Sequence, residues 1–414
     1  MAADSAGSGL QIAPLDADAV VDRIFTPAAV RAGARAIFDL AAGGGTHFSL
    51  HLTRLDEVAD YTIAVTRERY PDLKVPYHAR HGHFRTGGVD RPAQLAARLR
   101  GAGADKTARA MIDLVVVSVL LDAGAGGWTY EEPSTRRVYA RSEGLAVASF
   151  DMFMAGAFSG DPAQPLKADV AGLRALTVAD LERGFQVSGR NPLIGAAGRV
   201  GLLNALAESM ARQPDIFPRG RVADLLDHLD DGGEIRAANI LDFVLRRFGD
   251  IWPGRLELGG RNLGDVWIYR PLGAGAGSLV PFHKLSQWLT YSLIVPLMES
   301  GYAVRGIEEL TGLAEYRNGG LMLDCGLIEL RDAALRTGTH APASELIVEW
   351  RALTVALLDL IAGRVRRRLG LNALQLPLAA VLEGGTWSAG RKIAAELRPN
   401  GEPPLRIASD GTVF

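Results

Sequence analysis

Cysteine, charge of one sign and long apolar runs are all scarce in this sequence. The 414-residue chain has a single cysteine, Cys325, so an internal disulfide framework and a cysteine-rich zinc site are both excluded. Its 45 Lys and Arg residues nearly balance its 47 Asp and Glu residues, so no global basic field favours nucleic acid. The longest apolar run, residues 114–121, is far shorter than the roughly 20 residues that span a bilayer.

The rest of the composition is typical of a globular protein. Hydrophobic residues make up 48% of the chain and charged residues 22%, and the length is sufficient for a large buried core. Residues 1–9 lack the basic and apolar regions of a secretory signal peptide. We therefore expect a cytoplasmic protein with a small-molecule substrate and without a nucleic-acid or membrane partner.

Apolar residues recur at helical spacing through most of the chain, and only two short segments alternate as strands do. We predict a mainly α, compact helical fold with a few short β-strands, in one domain of residues 1–414. A possible N-terminal subregion covers 1–105 and a catalytic body covers 106–414. The predicted helices lie within 15–40, 55–70, 93–121, 142–157, 162–230, 235–248, 281–300 and 344–369, the strands at 47–52 and 266–269, a loop at 75–85 and a turn-rich tail from 384.

The segment with the most varied chemistry is residues 310–320. It sets Glu315, Tyr316, Arg317 and Asn318 side by side, directly before two glycines. Successive helical residues point about 100° apart and glycine weakens helices, so the pattern predicts an apolar helix that ends at a pocket. A solvated helix end on the surface is the alternative interpretation.

Two further groups of side chains are candidates for ligand binding. His283, Lys284 and Gln287 have spacings that place them on adjoining strips of one helix, where they can hold a phosphate or a sugar. Trp128 can stack on a flat ligand or fill the core.

Three histidines, His78, His81 and His83, lie close together in the predicted loop. Imidazoles are good zinc ligands, but Arg80 and Arg85 disfavour a nearby dication, so substrate binding and ordinary hydrogen bonding remain open. The glycine clusters at 43–45 and 124–127 match neither a P-loop nor a dinucleotide-binding loop. No nucleotide cofactor is expected.

Four segments resemble a bacterial and fungal family of uracil catabolism that is catalogued as a domain of unknown function. They are residues 120–126, 141–145, 315–320 and 409–414, and together they span nearly the whole chain. The members of this family accompany a pathway that releases urea and a three-carbon acid from uracil by way of the nucleotide.

A more distant resemblance is to the queuosine-salvage nucleotide N-glycosidases. Residues 120–128, 282–287 and 310–317 are similar to segments that those enzymes have in the same order. The resemblance implies a similar helical fold and puts Glu315 beside the glycosidic bond. Glycines at 124–127 and residues 318–320 depart from the pattern of those enzymes, so a large deazapurine need not fit.

These resemblances imply an N-glycosidase-type hydrolase, without a cofactor or metal, that cleaves ribosylurea or its 5-phosphate to urea and ribose or ribose phosphate. Glu315 would stabilise an oxocarbenium-like transition state as a general base or nucleophile. Asp324 or Asp122 would protonate the departing urea. The expected substrate contacts are Lys284 and Arg317 to phosphate or ribose, Glu143 and Gln287 to sugar hydroxyls, and Tyr316, Asn318, His283, Trp128 and His83 around them.

Two other functions remain open on the sequence alone. One is a metal-dependent amidohydrolase of a ureido intermediate, with His78, His81 and His83 as the ligands. The other is a non-catalytic partner of the pathway's enzymes.

Overall fold

The computed structural model describes residues 16–252 and 256–408, and most of them are helical. The α-helices are α1 (Ala17–Ile24), α2 (Pro27–Ala42), α3 (Leu55–Arg69), α4 (Arg80–His83), α5 (Arg91–Arg98), α6 (Ala104–Leu120), α7 (Arg141–Met154), α8 (Val170–Ala175), α9 (Val178–Gly184), α10 (Ala196–Ala211), α11 (Leu226–Leu229), α12 (Ala237–Arg247), α13 (Lys284–Glu299), α14 (Tyr316–Asp324), α15 (Glu345–Leu369), α16 (Leu378–Ala380) and α17 (Trp387–Leu397). A π-helical segment, Val381–Thr386, joins α16 to α17.

Within the described residues the strands are short and pair only in twos. They are β1 (Phe48–Leu50), β2 (Thr129–Glu131), β3 (Val138–Ala140), β4 (Glu234–Arg236), β5 (Glu257–Leu258), β6 (Arg261–Asn262), β7 (Val266–Ile268), β8 (Leu279–Pro281), β9 (Ala303–Arg305), β10 (Ile328–Leu330), β11 (Thr339–His340) and β12 (Arg406–Ile407). The pairs β4–β9 and β11–β12 are parallel, and β1–β10, β2–β3, β5–β6 and β7–β8 are antiparallel. The predicted mainly α fold with a few short strands is confirmed.

Helix α15 organises the core. It is buried along most of its length and packs against α2, α3 and α14. Residues of the predicted N-terminal subregion therefore share a core with the predicted catalytic body, while the domain boundary itself stays a prediction. Among the described residues, no helix is both long enough and apolar enough to cross a membrane.

Local sequence signals account for several helix ends. Helix α2 begins at Pro27 after Thr26, whose hydroxyl accepts the backbone N–H of Ala29 at 3.1 Å. Helix α15 ends at Gly370, which adopts φ +67° and so provides the left-handed residue that commonly closes a helix. Three arginines in the last turn of α15 carry the positive charge that a helix C-terminus favours.

The secondary structure predicted for two segments was wrong. The predicted loop at 75–85 contains the short helix α4, and the predicted turn-rich tail contains the π-helical segment and α17. The glycines of that tail permit close packing rather than turns, because a β-carbon on Gly385 would lie 2.5 Å from a side-chain atom of Thr62 in α3.

Candidate active site

A cavity of about 360 Å³ lies where several helices begin. Its walls are the loop 122–126, the first residues of α7, α13 and α14, the start of α17, and residues 400–403. His78 and His83 add side chains from the segment around α4. Helix N-termini carry partial positive charge, which contributes to the electrostatic potential in this cavity.

Glu315 is fixed in this cavity by the backbone of α14. One carboxylate oxygen accepts the backbone N–H of Asn318 at 2.7 Å, and the other accepts that of Arg317 at 2.8 Å. Glu315 is therefore the N-cap of α14, and only 7% of its surface is exposed. The prediction that an apolar helix ends at this motif was wrong: residues 311–315 are not helical and a helix begins after them.

The two glycines of the motif lie inside α14 because neighbouring helices approach closely there. A β-carbon on Gly319 would lie 2.7 Å from the Trp350 indole nitrogen and 2.7 Å from the Thr354 hydroxyl, both on α15. Local helix propensity is therefore outweighed by tertiary packing at this position.

Lys284 faces the same cavity from the first position of α13. Its backbone N–H is donated to Asp265 at 2.9 Å, and Asp265 is held by both terminal nitrogens of Arg351 at 2.7 and 2.8 Å. Desolvation lowers the pKa of Lys284, while the charges of Glu315 and Asp122 oppose that shift. Within the described residues the ammonium group has no hydrogen-bond or ion-pair partner, so its donors are available to a ligand.

Three more carboxylates line the cavity, those of Asp122, Glu143 and the exposed Glu402. Asp122 lies 2.5 Å from the buried Arg80 guanidinium and accepts the Ser142 hydroxyl at 3.2 Å. Glu143 accepts Arg391 at 3.0 Å. Burial by itself would raise the pKa of Glu143, but its electrostatic interactions with His83 and Arg391 outweigh burial and hold that pKa below its usual value. Glu143 is therefore a poor proton donor near neutral pH, and Asp122 is engaged by Arg80 and Ser142.

Aromatic rings form one wall of the cavity. The His78 ring lies 5.0 Å from Trp387 and 6.4 Å from Trp288, measured between ring centres, and His83 lies 6.5 and 6.3 Å from the same two indoles. Burial and the charge of Arg80 lower the pKa of His83 to about 4, so this imidazole is neutral at pH 7. The Nδ1 atom of His78 forms a hydrogen bond of 2.7 Å with a carboxylate oxygen of Glu383.

Cations surround the outer part of the cavity. Arg317 donates to the Gly401 carbonyl at 2.6 Å, while Arg391 lies over the Trp387 ring and binds Glu143. Arg141 has no hydrogen-bond or ion-pair partner among the described residues, and its backbone adopts φ +56°. A non-glycine residue in this region is strained, which is a recurrent feature of ligand-binding positions.

Of the predicted site residues, the cavity brings together Glu315, Asp122, Tyr316, Arg317, Lys284, Glu143 and His83. Five others do not line it. Asp324 pairs with Arg398 at 2.5 Å, Gln287 accepts from Thr311, His283 bonds the Ile24 carbonyl, Trp128 donates to the Phe185 carbonyl, and Asn318 donates to the Leu313 carbonyl. Their polar groups satisfy buried backbone and side-chain partners, which is the common fate of such residues in a core.

The three histidines of the metal hypothesis do not converge. His78 bonds Glu383, and His83 accepts from Arg80 at 3.3 Å, whereas His81 bonds Arg85 at 2.7 Å and lies near Glu299. Among the described residues, no group of three or more His, Cys, Asp or Glu side chains is arranged to hold a metal ion. The geometry therefore gives the amidohydrolase hypothesis no ligand set.

Sequence reasoning missed several lining residues, namely Arg141, Ser142, Trp288, Trp387 and Arg391. Trp387 and Arg391 are four residues apart, a helical spacing that was available as a signal in the tail but was hidden by the surrounding glycines.

The whole of this cavity lies within the region matched by one family model. The family is described as "Protein of unknown function (DUF1688)", and its model matches residues 23–414. The chain belongs to this family. A relative named "Uracil catabolism protein 4", from Lachancea kluyveri, is 38% identical over 427 residues, covering 93% of this chain and 97% of the relative. "Protein urg3" from Schizosaccharomyces pombe is 41% identical over 377 residues, covering 87% and 90%.

Three of the four segments that carry the family resemblance meet at the cavity. Residues 122–126, 141–143 and 315–317 line it from the end of α6, the start of α7 and the start of α14. The fourth segment, residues 409–414, lies outside the described residues. The family's distinctive segments in this chain are thus concentrated at one site.

Proposed function

We propose that this protein hydrolyses the N-ribosyl bond of a ribosylurea, as its 5-phosphate, and releases urea and ribose 5-phosphate in uracil catabolism. The name of the Lachancea relative, "Uracil catabolism protein 4", supports the pathway, because that protein is 38% identical and aligns over 97% of its own length. The resemblance of residues 282–287 and 310–317 to the queuosine-salvage glycosidases supports the reaction type. The likeness to the fold of those enzymes remains part of the proposal.

The observation that carries the proposal is that Glu315 and Lys284 share one partly closed cavity. Breaking an N-ribosyl bond builds positive charge on the anomeric carbon and the ring oxygen, and a fixed carboxylate stabilises that charge most where water is excluded. Glu315 meets this need because two backbone N–H groups hold it in place before substrate arrives. It is also the group that accepts the proton of an attacking water.

The other charged side chains that line the cavity are assigned to two parts of the substrate, the sugar and its phosphate. Lys284 has free donors for a ribose hydroxyl or a phosphate oxygen, and Glu143 has acceptor capacity for a hydroxyl. Arg141 and Arg317 lie where the cavity widens among further cations, so they are placed to bind a phosphate outside the reaction centre. A volume of about 360 Å³ falls within the range of small-ligand sites.

The direct test is release of urea and ribose 5-phosphate from ribosylurea 5-phosphate by wild type and Glu315→Gln. The amide retains one acceptor for the cap but loses the negative charge, so we expect kcat/KM to fall by about 100-fold or more. Asp169→Asn is a matched control, because Asp169 is likewise a helix N-cap with 7% of its surface exposed, and it lies outside the cavity. Absence of urea release by wild type, or an unimpaired Glu315→Gln enzyme, would contradict the proposal.

A further inference from the structure

His78 lines the same cavity as Glu315 and forms a hydrogen-bonded pair with Glu383. The Nδ1 atom of His78 lies 2.7 Å from a carboxylate oxygen of Glu383, and His78 is only 4% exposed. Its backbone N–H is donated to the Ala379 carbonyl at 2.8 Å, which ties the segment before α4 to α16. The imidazole is therefore held from both its backbone and its ring.

The surroundings of Glu383 favour its ionised form. It lies in the π-helical segment, where Arg69 lies 3.4 Å and the Tyr70 hydroxyl 3.4 Å from one of its oxygens. Burial by itself would raise the pKa of Glu383, but its hydrogen bond to His78 and its electrostatic interactions with His78, His83 and Arg69 lower that pKa to about 2. A carboxylate at this position accepts the Nδ1 proton of His78, so Nε2 is the ring nitrogen left for chemistry. π-helical turns are frequent at functional sites.

One ring nitrogen of His78, Nε2, has no hydrogen-bond partner among the described residues. His78 lines the cavity between Trp288 and Trp387. The pair thus has the form of an imidazole oriented by a carboxylate and aimed at a ligand space.

The proposed reaction needs a proton donor. Urea leaves poorly as an anion, so its nitrogen must gain a proton as the bond to the sugar breaks. Asp122 is ion-paired with Arg80, Glu143 is held ionised, and His83 is neutral at pH 7. The other lining groups that can carry a transferable proton include His78, Lys284, Tyr316 and the exposed Glu402, and of these His78 is held by a buried carboxylate.

We propose that His78 is the catalytic acid of this site and that Glu383 is its positioning residue. This inference rests on the proposed function. As the C–N bond breaks, its electron pair passes to the urea nitrogen, which takes the proton from Nε2 of the imidazolium. Water forms the new bond to the anomeric carbon and gives its proton to Glu315. Exchange of both protons with solvent restores the two groups, so ribosylurea 5-phosphate and water yield urea and ribose 5-phosphate.

Two substrates that differ in leaving group test this role. Ribosylurea 5-phosphate requires a proton on its leaving group, whereas 4-nitrophenyl riboside 5-phosphate releases a stable phenolate. We expect His78→Asn to lower kcat/KM for the ureide by about 100-fold or more, and for the nitrophenyl substrate by no more than about threefold. Glu383→Gln should show the same selectivity to a smaller degree, and it keeps the inference testable where His78→Asn does not fold.

A matched control is His47→Asn, because His47 makes a similar contact through Nδ1 to a buried carboxylate, Glu349, at 2.9 Å, outside the cavity. His47→Asn should leave kcat/KM unchanged for both substrates. Equal losses on the two substrates in His78→Asn and Glu383→Gln, or the leaving-group selectivity in Lys284→Met instead, would overturn the inference and leave the proposed function standing. A wild-type enzyme inactive on both substrates would overturn the proposed function, and the inference with it.

Discussion

At the scale of single residues, the buried cations of this chain differ in whether the fold satisfies them. Arg80 binds Asp122 and the carbonyls of Ser142 and Ser118, and Arg91 binds Glu132 and two carbonyls. Lys284 is partly buried and has no such partner within the described part of the chain. An unpaired charge that loses part of its hydration is costly for folding, so its retention is best explained by a ligand.

Asp324 shows how one residue of the motif region serves structure instead. Its carboxylate is 2% exposed and receives both terminal nitrogens of Arg398, at 2.9 and 2.5 Å. We expect Asp324→Asn to lower the free energy of unfolding by about 1–3 kcal/mol, because a charged hydrogen-bonded pair is lost. In the proposed reaction, the kcat/KM of the folded variant should stay within about twofold of wild type.

Denaturant unfolding and steady-state kinetics on the same preparation would check this expectation. Asp122→Asn serves for comparison, since Asp122 lines the cavity. A large loss of activity in Asp324→Asn with unchanged stability would restore Asp324 as a proton donor.

At the scale of elements, the site depends on how closely α14 and α17 pack. The sequence identified residues 310–320 as a candidate site. It predicted that a helix ends there, whereas α14 begins there. The reason is that Glu315 caps a helix through its side chain, and Gly319 permits close contact with α15. Local propensity describes neither effect, because the capping residue belongs to an uncommon type and the glycine responds to a helix that is distant in sequence.

Gly390 of α17 provides a test of that packing. A β-carbon at this position would lie 2.0 Å from the backbone carbonyl oxygen of Arg317, at the start of α14. We expect Gly390→Ala to destabilise the protein by about 1–3 kcal/mol or more, because backbone atoms must move apart. Activity should also fall, since Arg317 and Arg391 line the cavity on these two helices.

Gly363→Ala is the matched control, because Gly363 lies inside α15 with nothing within 4 Å of its added β-carbon. That variant should be neutral or stabilised by up to about 1 kcal/mol. Thermal unfolding of both variants decides the matter, and similar stabilities for the two would show that α14 and α17 are not in close contact.

At the scale of the whole molecule, the cavity is assembled from segments that are far apart in sequence. His78 and Glu383 are separated by 305 positions, and Glu143 and Arg391 by 248. Most of the helices, two of the strands and the residue types of the motif at 310–320 were predictable because periodicity and residue type are local properties. Which histidine meets which carboxylate depends on the packing of α3, α4 and the π-helical segment, and no spacing in the sequence carries that information.

Because these distant segments line one cavity, a ligand that fills the cavity should stabilise the entire fold. We expect ribose 5-phosphate to raise the Tm, since a ligand that binds only the native state adds about 2.7 kcal/mol at 100 times its Kd. Ribose should give a smaller shift at equal concentration, and Arg141→Met should abolish the difference between the two ligands. Arg136→Met is the matched control, because Arg136 is also exposed, adopts φ +60° and lies outside the cavity. Thermal shifts that are equal for ribose and ribose 5-phosphate, or undiminished in Arg141→Met, would place the phosphate elsewhere.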